Sequence, residues 1–345
     1  MQVRIERLGP VIEPDGDPRE VEGVLNPAGT RTRDGALLLY PRAVAKGNVS
    51  RVGRMRVMQL DGTFSVVREG FALEPVAAYE RRASPGYGCE DPRVTFVPVL
   101  DRYLMAYTAF GPLGPRIALA QSRDGFAWDR LGLMRFEQPG MPNDDDKDAA
   151  FFPEPVISPR GVPSLAFYHR PMLHLSAVDG RAAIPMIQRM PFEDRESIRV
   201  GYIPLERALR EDAALLDVQE SVVVLSPNDA WGSIKVGAGT PPVRIAEGWF
   251  SLFHGVDLLD ISGAKPKFRY AAGVVVHDAE RPDRVLYRSP EPVLVPETAF
   301  ERKGVVDNVV FPTAIDQRID LGPRVFDVYY GMADWATGAV RVTLQ

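Results

Sequence analysis

The chain has 345 residues, of which 45% are hydrophobic and 25% charged, with a formal net charge of -5. That is enough apolar material to bury a large core, as one closed architecture or two modest domains. The small charge and scattered basic residues exclude a nucleic-acid footprint. No run of about 18 apolar residues is present to span a bilayer, and the single cysteine, Cys89, excludes an internal disulfide and a cysteine-based zinc cluster. The stretch Met1 to Arg7 lacks the apolar core of a signal peptide, so a soluble cytoplasmic protein acting on a small molecule is expected.

In chain order the sequence shows a repeat of uneven period. Each unit opens on a polar or aromatic residue followed by proline, and roughly 11 to 18 residues later reaches a β-rich run that ends near an aromatic and a polar or small residue. The units run from Asn26-Pro27 to Tyr40-Pro41-Arg42, from Asp91-Pro92 to Tyr107-Thr108, from Phe152-Pro153 to Tyr168-His169-Arg170, from Thr240-Pro241-Pro242 to Phe253-His254, and from Phe311-Pro312-Thr313 to Tyr330-Gly331. The 30 glycines and 31 prolines, with turn signals such as Arg33-Asp34-Gly35, Leu60-Asp61-Gly62 and Arg123-Asp124-Gly125, favour many short strands over long helices. An all-β five-bladed β-propeller is predicted, with residues 1–345 forming a single catalytic domain. Inner strands of a propeller converge on its axis, which would bring Asn26, Arg42, Asp91, His169, Arg170, His254 and Asp334 into one pocket.

Two segments break the rhythm. Residues 204–216 are predicted as a short helical insertion, with apolar positions at 205, 208, 209 and 215. Asn143 to Asp148 is an acidic turn, in which Asp144 to Asp146 read as a solvated loop while Lys147 and Asp148 adjoin the next strand and are pocket candidates.

The chemistry centres on Gly88-Cys89-Glu90-Asp91-Pro92-Arg93, just ahead of the apolar run Val94 to Val99. A buried strand holds the side chains at its mouth rigidly, and Asp91 is the expected catalytic acid. Glu90 points to the opposite side if the segment is regularly extended. Arg42, Arg51, Arg170, Lys235 and His254 fall at or just after predicted strand ends. Such cations are what an enzyme needs to hold a phosphate dianion against a sugar, and arginine's planar fork suits phosphate. An inverting hydrolase needs two carboxylates, whereas phosphorolysis needs only the acid. Tyr40, Tyr107, Tyr168 and Tyr330 read mainly as packing residues, Trp231 and Trp249 as core or stacking residues, and His174 and His277 as surface or satisfied core residues.

Gly88 to Arg93, Lys147-Asp148-Ala149-Ala150-Phe151-Phe152-Pro153-Glu154, Tyr168-His169-Arg170-Pro171, Lys235 to Pro242, His254-Gly255-Val256, Asn308 to Thr313 and Tyr330 to Asp334 together resemble glycoside hydrolase family 130, the β-mannoside phosphorylases. The resemblance implies a five-bladed propeller that cleaves a β-mannoside with inorganic phosphate and inversion, giving α-mannose 1-phosphate. It implies Asp91 as general acid, protonating the glycosidic oxygen through a mannose hydroxyl. Asn26, Arg42, Arg93, Lys147, Asp148, His169 and Asp334 are then expected to bind the mannoside, and Arg51, Arg170, Lys235, His254 and Tyr270 the phosphate. Phosphate is the co-substrate, and neither an organic cofactor nor a metal is called for, since no His-x-x-x-His spacing occurs. The stretch Met172 to Trp231 and Asp307 depart from the family pattern and leave the acceptor preference open, as is the question of a homo-oligomer. An inverting β-mannosidase of the same family and a non-catalytic sugar-binding propeller are the alternatives, with Glu154 and Asp148 the carboxylates a hydrolase would use.

Overall fold

The computed structural model describes residues 1–60, 62–136, 145–173, 180–263 and 265–345. Asp61, Asn143, Asp144 and His174 lie outside the described residues. Among the described residues the chain is mostly β, in sheets of eight, five, five and four strands and one parallel two-stranded sheet; the eight-stranded sheet divides into two antiparallel halves, so five antiparallel units follow one another along the chain. Their leading strands are Gly23–Arg31, Tyr87–Val97, Asp146–Phe151, Lys235–Ala238 and Val310–Gln317. These pair in turn with Leu37–Ala45, Arg102–Gly111, Pro163–Pro171, Gly248–Asp260 and Val325–Met332.

The fifth unit takes its outer strand from the other end of the chain. Val3–Ile12 pairs antiparallel with Ala336–Leu344, from Val3 opposite Leu344 to Ile12 opposite Thr337. The first two units also share one sheet, because Val49–Leu60 pairs in parallel with Tyr87–Val97 at Val49 and Ser50.

The apolar side chains explain why the units stack. Inner strands bury residues on both faces, as in the pattern of Leu37–Ala45 and Pro163–Pro171, so a unit alone would leave one sheet face wet. Five apolar clusters fill the spaces between consecutive units. Tyr40 and Val52 meet Cys89 and Tyr103 between the first and second units. Leu104 and Leu119 meet Phe151 and Phe167 between the second and third, and Tyr168 and Val200 meet Trp231 and Phe253 between the third and fourth. Phe250 and Leu252 meet Phe326 and Val328 between the fourth and fifth. The last cluster joins Val24 and Leu39 of the first unit to Tyr329 and Ala339 of the fifth.

The leading strands are not regular. Their register slips between Leu25 and Ala28, between Glu90 and Arg93, between Lys147 and Ala150, and between Pro312 and Ala314. In the first three slips one residue takes a left-handed backbone: Asn26 (φ 45°), Asp91 (φ 46°) and Asp148 (φ 62°). Short polar side chains tolerate this region where β-branched ones do not, at a cost of about 1–2 kcal/mol each. A proline beside the slip removes a donor that the bulge would leave unpaired, which is the physical content of the Asn26-Pro27 and Asp91-Pro92 motifs.

The predicted helical insertion is two pieces. An α-helix spans Leu205–Arg210 and a 3-10 turn Asp212–Leu216, separated by Glu211 in extended backbone. One continuous helix would set Ala208 and Leu215 on one face and rotate Leu216 away by about 100°. The break lets Ala208, Ala214, Leu215 and Leu216 all be buried, while Leu209 stays 53% exposed. A second helix, Gly180–Arg189, carries Pro185 inside it and was not predicted. Asp146, expected in a solvated loop, is buried and bonded to His169 and to the backbone of Lys147 and Arg170. Among the described residues no helix is long and apolar enough to cross a membrane.

Phe250 is fully buried and stacks on Phe326 across the fourth and fifth units, with ring centroids 5.4 Å apart. Phe250→Ala is expected to cost about 3–5 kcal/mol, measured as a fall in the denaturation midpoint. A loss below about 1 kcal/mol would show that contact between these units does not hold the fold.

Candidate active site

A cavity of about 200 Å3 collects side chains from all five units. The first unit supplies Asn26 and Arg42, the second Asp91, and the third Lys147, Asp148 and Arg170. Lys235, His254 and Tyr270 come from the fourth unit, and Asp334 from the fifth. The strand pairing shows why these residues share a level. Arg42 lies opposite Leu25, Arg170 opposite Lys147, and His254 opposite Gly237, each on the second strand of its unit beside the mouth of the leading strand.

At one end of the cavity Asp91 accepts a hydrogen bond from Asn26 Nδ2 at 2.8 Å and lies 3.4 Å from Arg42 Nη1. Arg42 also donates to Glu90 at 3.0 Å and to Ser50 at 2.9 Å, while Lys147 Nζ lies 3.3 Å from the other Glu90 oxygen. Both carboxylates of the Glu90-Asp91 pair therefore meet the same guanidinium. The left-handed bulge at Asp91 breaks the alternation that would have sent Glu90 to the far side, and this overturns the expectation from extended geometry. Among the described residues Asn26 Oδ1 is buried without a partner, an acceptor for a hydroxyl donor.

Asp334 sits on two consecutive left-handed residues, Ala333 and Asp334, in the turn between the last two strands. Burial pushes its carboxyl up to about 6, against the pull of Arg42 and with the help of the Asp91 charge. Burial also works to raise Asp91, but Arg42, Lys147, Arg93 and the Asn26 bond win and hold it below the usual carboxylate range. Two neighbouring carboxyls are thus driven apart, Asp334 toward its protonated form and Asp91 toward its ionised one.

At the other end, Arg170 Nε donates to Asp148 at 2.8 Å and Nη1 pairs with Glu196. His254 Nε2 lies 3.8 Å from Asp148, its ring packs on Phe311 at 4.4 Å, and its Nδ1 is buried with no hydrogen-bond partner among the described residues. Burial pushes His254 down to about 3 despite Asp148, so its imidazole is neutral near pH 7 and is not one of the expected cations. Burial opposes the charge on Asp148, yet Arg170 and Arg93 keep it ionised. Gly237 is what admits this cluster: a Cβ there would come within 2.3 Å of His254 and 2.4 Å of Asp148.

Three predicted residues lie elsewhere. His169 is fully buried on the opposite side of its strand from Arg170, with its ring nitrogens 2.7 Å from Asp146 and from Ser221 and its ring beside Phe136. Adjacent strand residues face opposite ways, so the two could not both reach the cavity. Arg51 stands on the third strand of the first unit, opposite Ala43, and pairs with Glu74 at 3.3 Å. Arg93 is 1% exposed beneath the cavity, donating to the carbonyl oxygens of Asp91, Ala238 and Gly239, so it ties the second unit to the fourth rather than meeting a ligand. The expected packing tyrosines are satisfied within the protein: Tyr40 bonds Gly125, Tyr107 bonds Glu80, Tyr168 meets Ser251 and Tyr330 bonds Glu301. Trp231 and Trp249 are core residues, and His277 is buried against Pro282 O.

Met172, Val306, Val309 and Phe311 line the cavity without having been predicted. Met172 directly follows the quoted Arg170-Pro171, and the other three lie in or beside the Asn308 to Thr313 stretch, so motif proximity was the available signal. Glu196 had none.

The family model described as beta-1,4-mannooligosaccharide phosphorylase matches residues 2–176 and 212–345. The chain belongs to glycoside hydrolase family 130. Its unmatched segment, 177–211, falls within the stretch that departs from the family pattern. This family 130 chain is 30% identical over 261 residues to a 1,2-beta-oligomannan phosphorylase of Thermoanaerobacter sp. strain X514, covering 75% of this chain and 69% of that protein. It is 39% identical over 122 residues to a beta-1,4-mannooligosaccharide phosphorylase of Ruminococcus albus, covering 35% of this chain and 34% of that protein. Its fold is similar to the solved beta-1,2-mannobiose phosphorylase of Listeria innocua, with a TM-score of 0.71 and 20% identity over 99% of this chain and 97% of that one.

Carbon-13 NMR of the aspartate carboxyls should show one resonance titrating near pH 6 that is lost in Asp334→Asn. Folding favours the protonated form of this group, so its contribution to stability is present at low pH and is lost as pH rises through about 6. An unchanged spectrum in Asp334→Asn would assign that proton elsewhere.

Proposed function

We propose that this protein phosphorolyses β-mannosides: inorganic phosphate attacks the anomeric carbon with inversion, giving α-mannose 1-phosphate and a released acceptor sugar. The observation that carries the reading is a single cavity with Asp91, Asn26, Arg42 and Asp334 at one end and Arg170, Lys235 and His254 at the other. Short polar groups and the unpartnered Asn26 Oδ1 suit sugar hydroxyls, while the Arg170 fork and Lys235 suit an oxyanion. The named relatives act on β-1,2- and β-1,4-linked mannosides, so both linkages are the first substrates to test.

Asp91 is the general acid in this reading. The surrounding cations Arg42, Lys147 and Arg93 hold it ionised. A phosphate anion placed among Arg170, Lys235 and Lys147 cancels part of that field and raises the proton affinity of Asp91, so nucleophile binding and loading of the acid are coupled. Proton transfer then neutralises the departing acceptor oxygen while Arg170 and Lys235 hold the attacking phosphate. His254, neutral, offers an N–H donor rather than a charge.

Hydrolysis needs a second carboxylate able to take a proton from water. Glu154 is exposed and away from the cavity lining. Asp148 faces the cavity but is bound by Arg170 and kept strongly ionised, which makes it a poor base. Phosphate, already a nucleophile, needs no such base.

The scaffold in this reading is a five-bladed β-propeller forming one domain over residues 1–345. The five units, the N-terminal strand completing the fifth, and the cluster joining fifth to first support it. A cytoplasmic location accords with the buried thiol of Cys89.

Incubation with β-1,2- and β-1,4-mannobiose should release mannose 1-phosphate only when phosphate is supplied. Free mannose released without phosphate would defeat the reading. Asp91→Asn should lower turnover by about 10²–10⁴-fold and leave binding of mannobiose within a few-fold. Gly237→Ala should raise the KM for phosphate about tenfold or more, with a smaller effect on the KM for mannobiose, because the added methyl displaces His254 or Asp148.

A further inference from the structure

Most of the positive charge at the anion end of the cavity is already offset. Arg170 and Lys235 stand there with the carboxylates of Asp148 and Glu196, Arg93 lies 3.6 Å from Asp148 and His254 is neutral, which leaves one net positive charge. Glu196 is the unexpected member. It lies in the segment that the family model leaves unmatched. Its Oε2 pairs with Arg170 Nη1, its Oε1 accepts from the backbone N–H of Leu173 at 3.3 Å, and its own carbonyl accepts from Val236 N, next to Lys235. The charged groups acting on it are Arg170, Lys235 and Asp148, and Tyr270 shares the neighbouring wall with Lys235.

Charge balance has a chemical consequence for the anion. A dianion entering a cluster with a single net positive charge is only half compensated and loses its hydration, which is unfavourable in a partly buried site. Hydrogen phosphate escapes the penalty because it titrates near neutrality: it can enter carrying its protons, or deliver one to a neighbouring carboxylate. Sulfate has no proton to carry or give at that pH. A carboxylate that cancels one cation therefore favours the protonatable oxyanion over a fully ionised one of the same shape.

We propose that Glu196 is a positioning residue that holds Arg170 and sets the charge of the anion subsite, so that phosphate is accepted and sulfate refused. This rests on the phosphorylase reading for its biological meaning, but the selectivity is a binding property measurable without turnover. With Glu196 made neutral the subsite gains one positive charge, and sulfate gains more from it than phosphate does.

The test is calorimetric titration of sodium phosphate and sodium sulfate into the wild-type protein, Glu196→Gln and Glu196→Asp, at pH 6 and pH 8. Wild type should bind phosphate about tenfold or more tighter than sulfate, with phosphate weakening from pH 6 to pH 8. Glu196→Gln should tighten sulfate about tenfold and bring the two anions within about threefold of each other. Glu196→Asp keeps the charge and should keep the wild-type preference. A residue that served only to brace Arg170 would weaken both anions when changed to Gln. That outcome overturns the proposal, as do an unchanged ratio in Glu196→Gln and a wild type that does not discriminate. Absence of phosphate-dependent turnover of mannobiose would defeat the phosphorylase reading and leave the titrations to decide the role of Glu196.

Discussion

Charge inside a partly buried cavity persists only where it is paired, and that constraint shapes this protein. A lone desolvated carboxylate or guanidinium costs several kcal/mol, so each ion is held by others. Arg42 stands between Asp91 and Glu90, Lys147 between Glu90 and the cavity, and Arg170 between Asp148 and Glu196. The site is thus a lattice of opposite charges rather than a single acid facing a ring of cations. Its chemistry depends on how an incoming anion redistributes protons within that lattice.

The scaffold makes the lattice possible by bringing distant strands to one level. Apolar clusters between consecutive units fix the tilt of each unit against the next, including the fifth against the first. Arg93 adds a polar tie at the centre by bonding carbonyls of the fourth unit from a strand of the second. The left-handed bulges at Asn26, Asp91 and Asp148 then turn polar side chains off the strands and into the space the units leave between them. Backbone strain of about 1–2 kcal/mol at each bulge is carried by the well-packed strands on either side.

Much of the site was legible because its residues sit beside prolines and strand ends. Asn26-Pro27, Asp91-Pro92 and Lys147-Asp148 announce a break in the ladder, and Arg170 and His254 recur at the same place in the repeat. His169 and Arg51 show the limit of that signal. A strand alternates its faces, and one position along or one strand outward is enough to remove a side chain from the cavity. Glu90 shows a different departure: the bulge turns it onto the same guanidinium as Asp91, although it does not line the cavity.

By itself the sequence determined the strand-rich class, the acidic residue before proline and the family resemblance, because these are written in local spacing and turn chemistry. Only the tertiary structure decided which charges are paired. It placed Glu90 and Glu196 on the guanidinium groups of Arg42 and Arg170, made His254 neutral by burial, and raised Asp334 above its neighbour. Pairing and desolvation depend on distances between residues far apart along the chain, such as the 65 positions that separate Asn26 from Asp91. No local pattern encodes those distances.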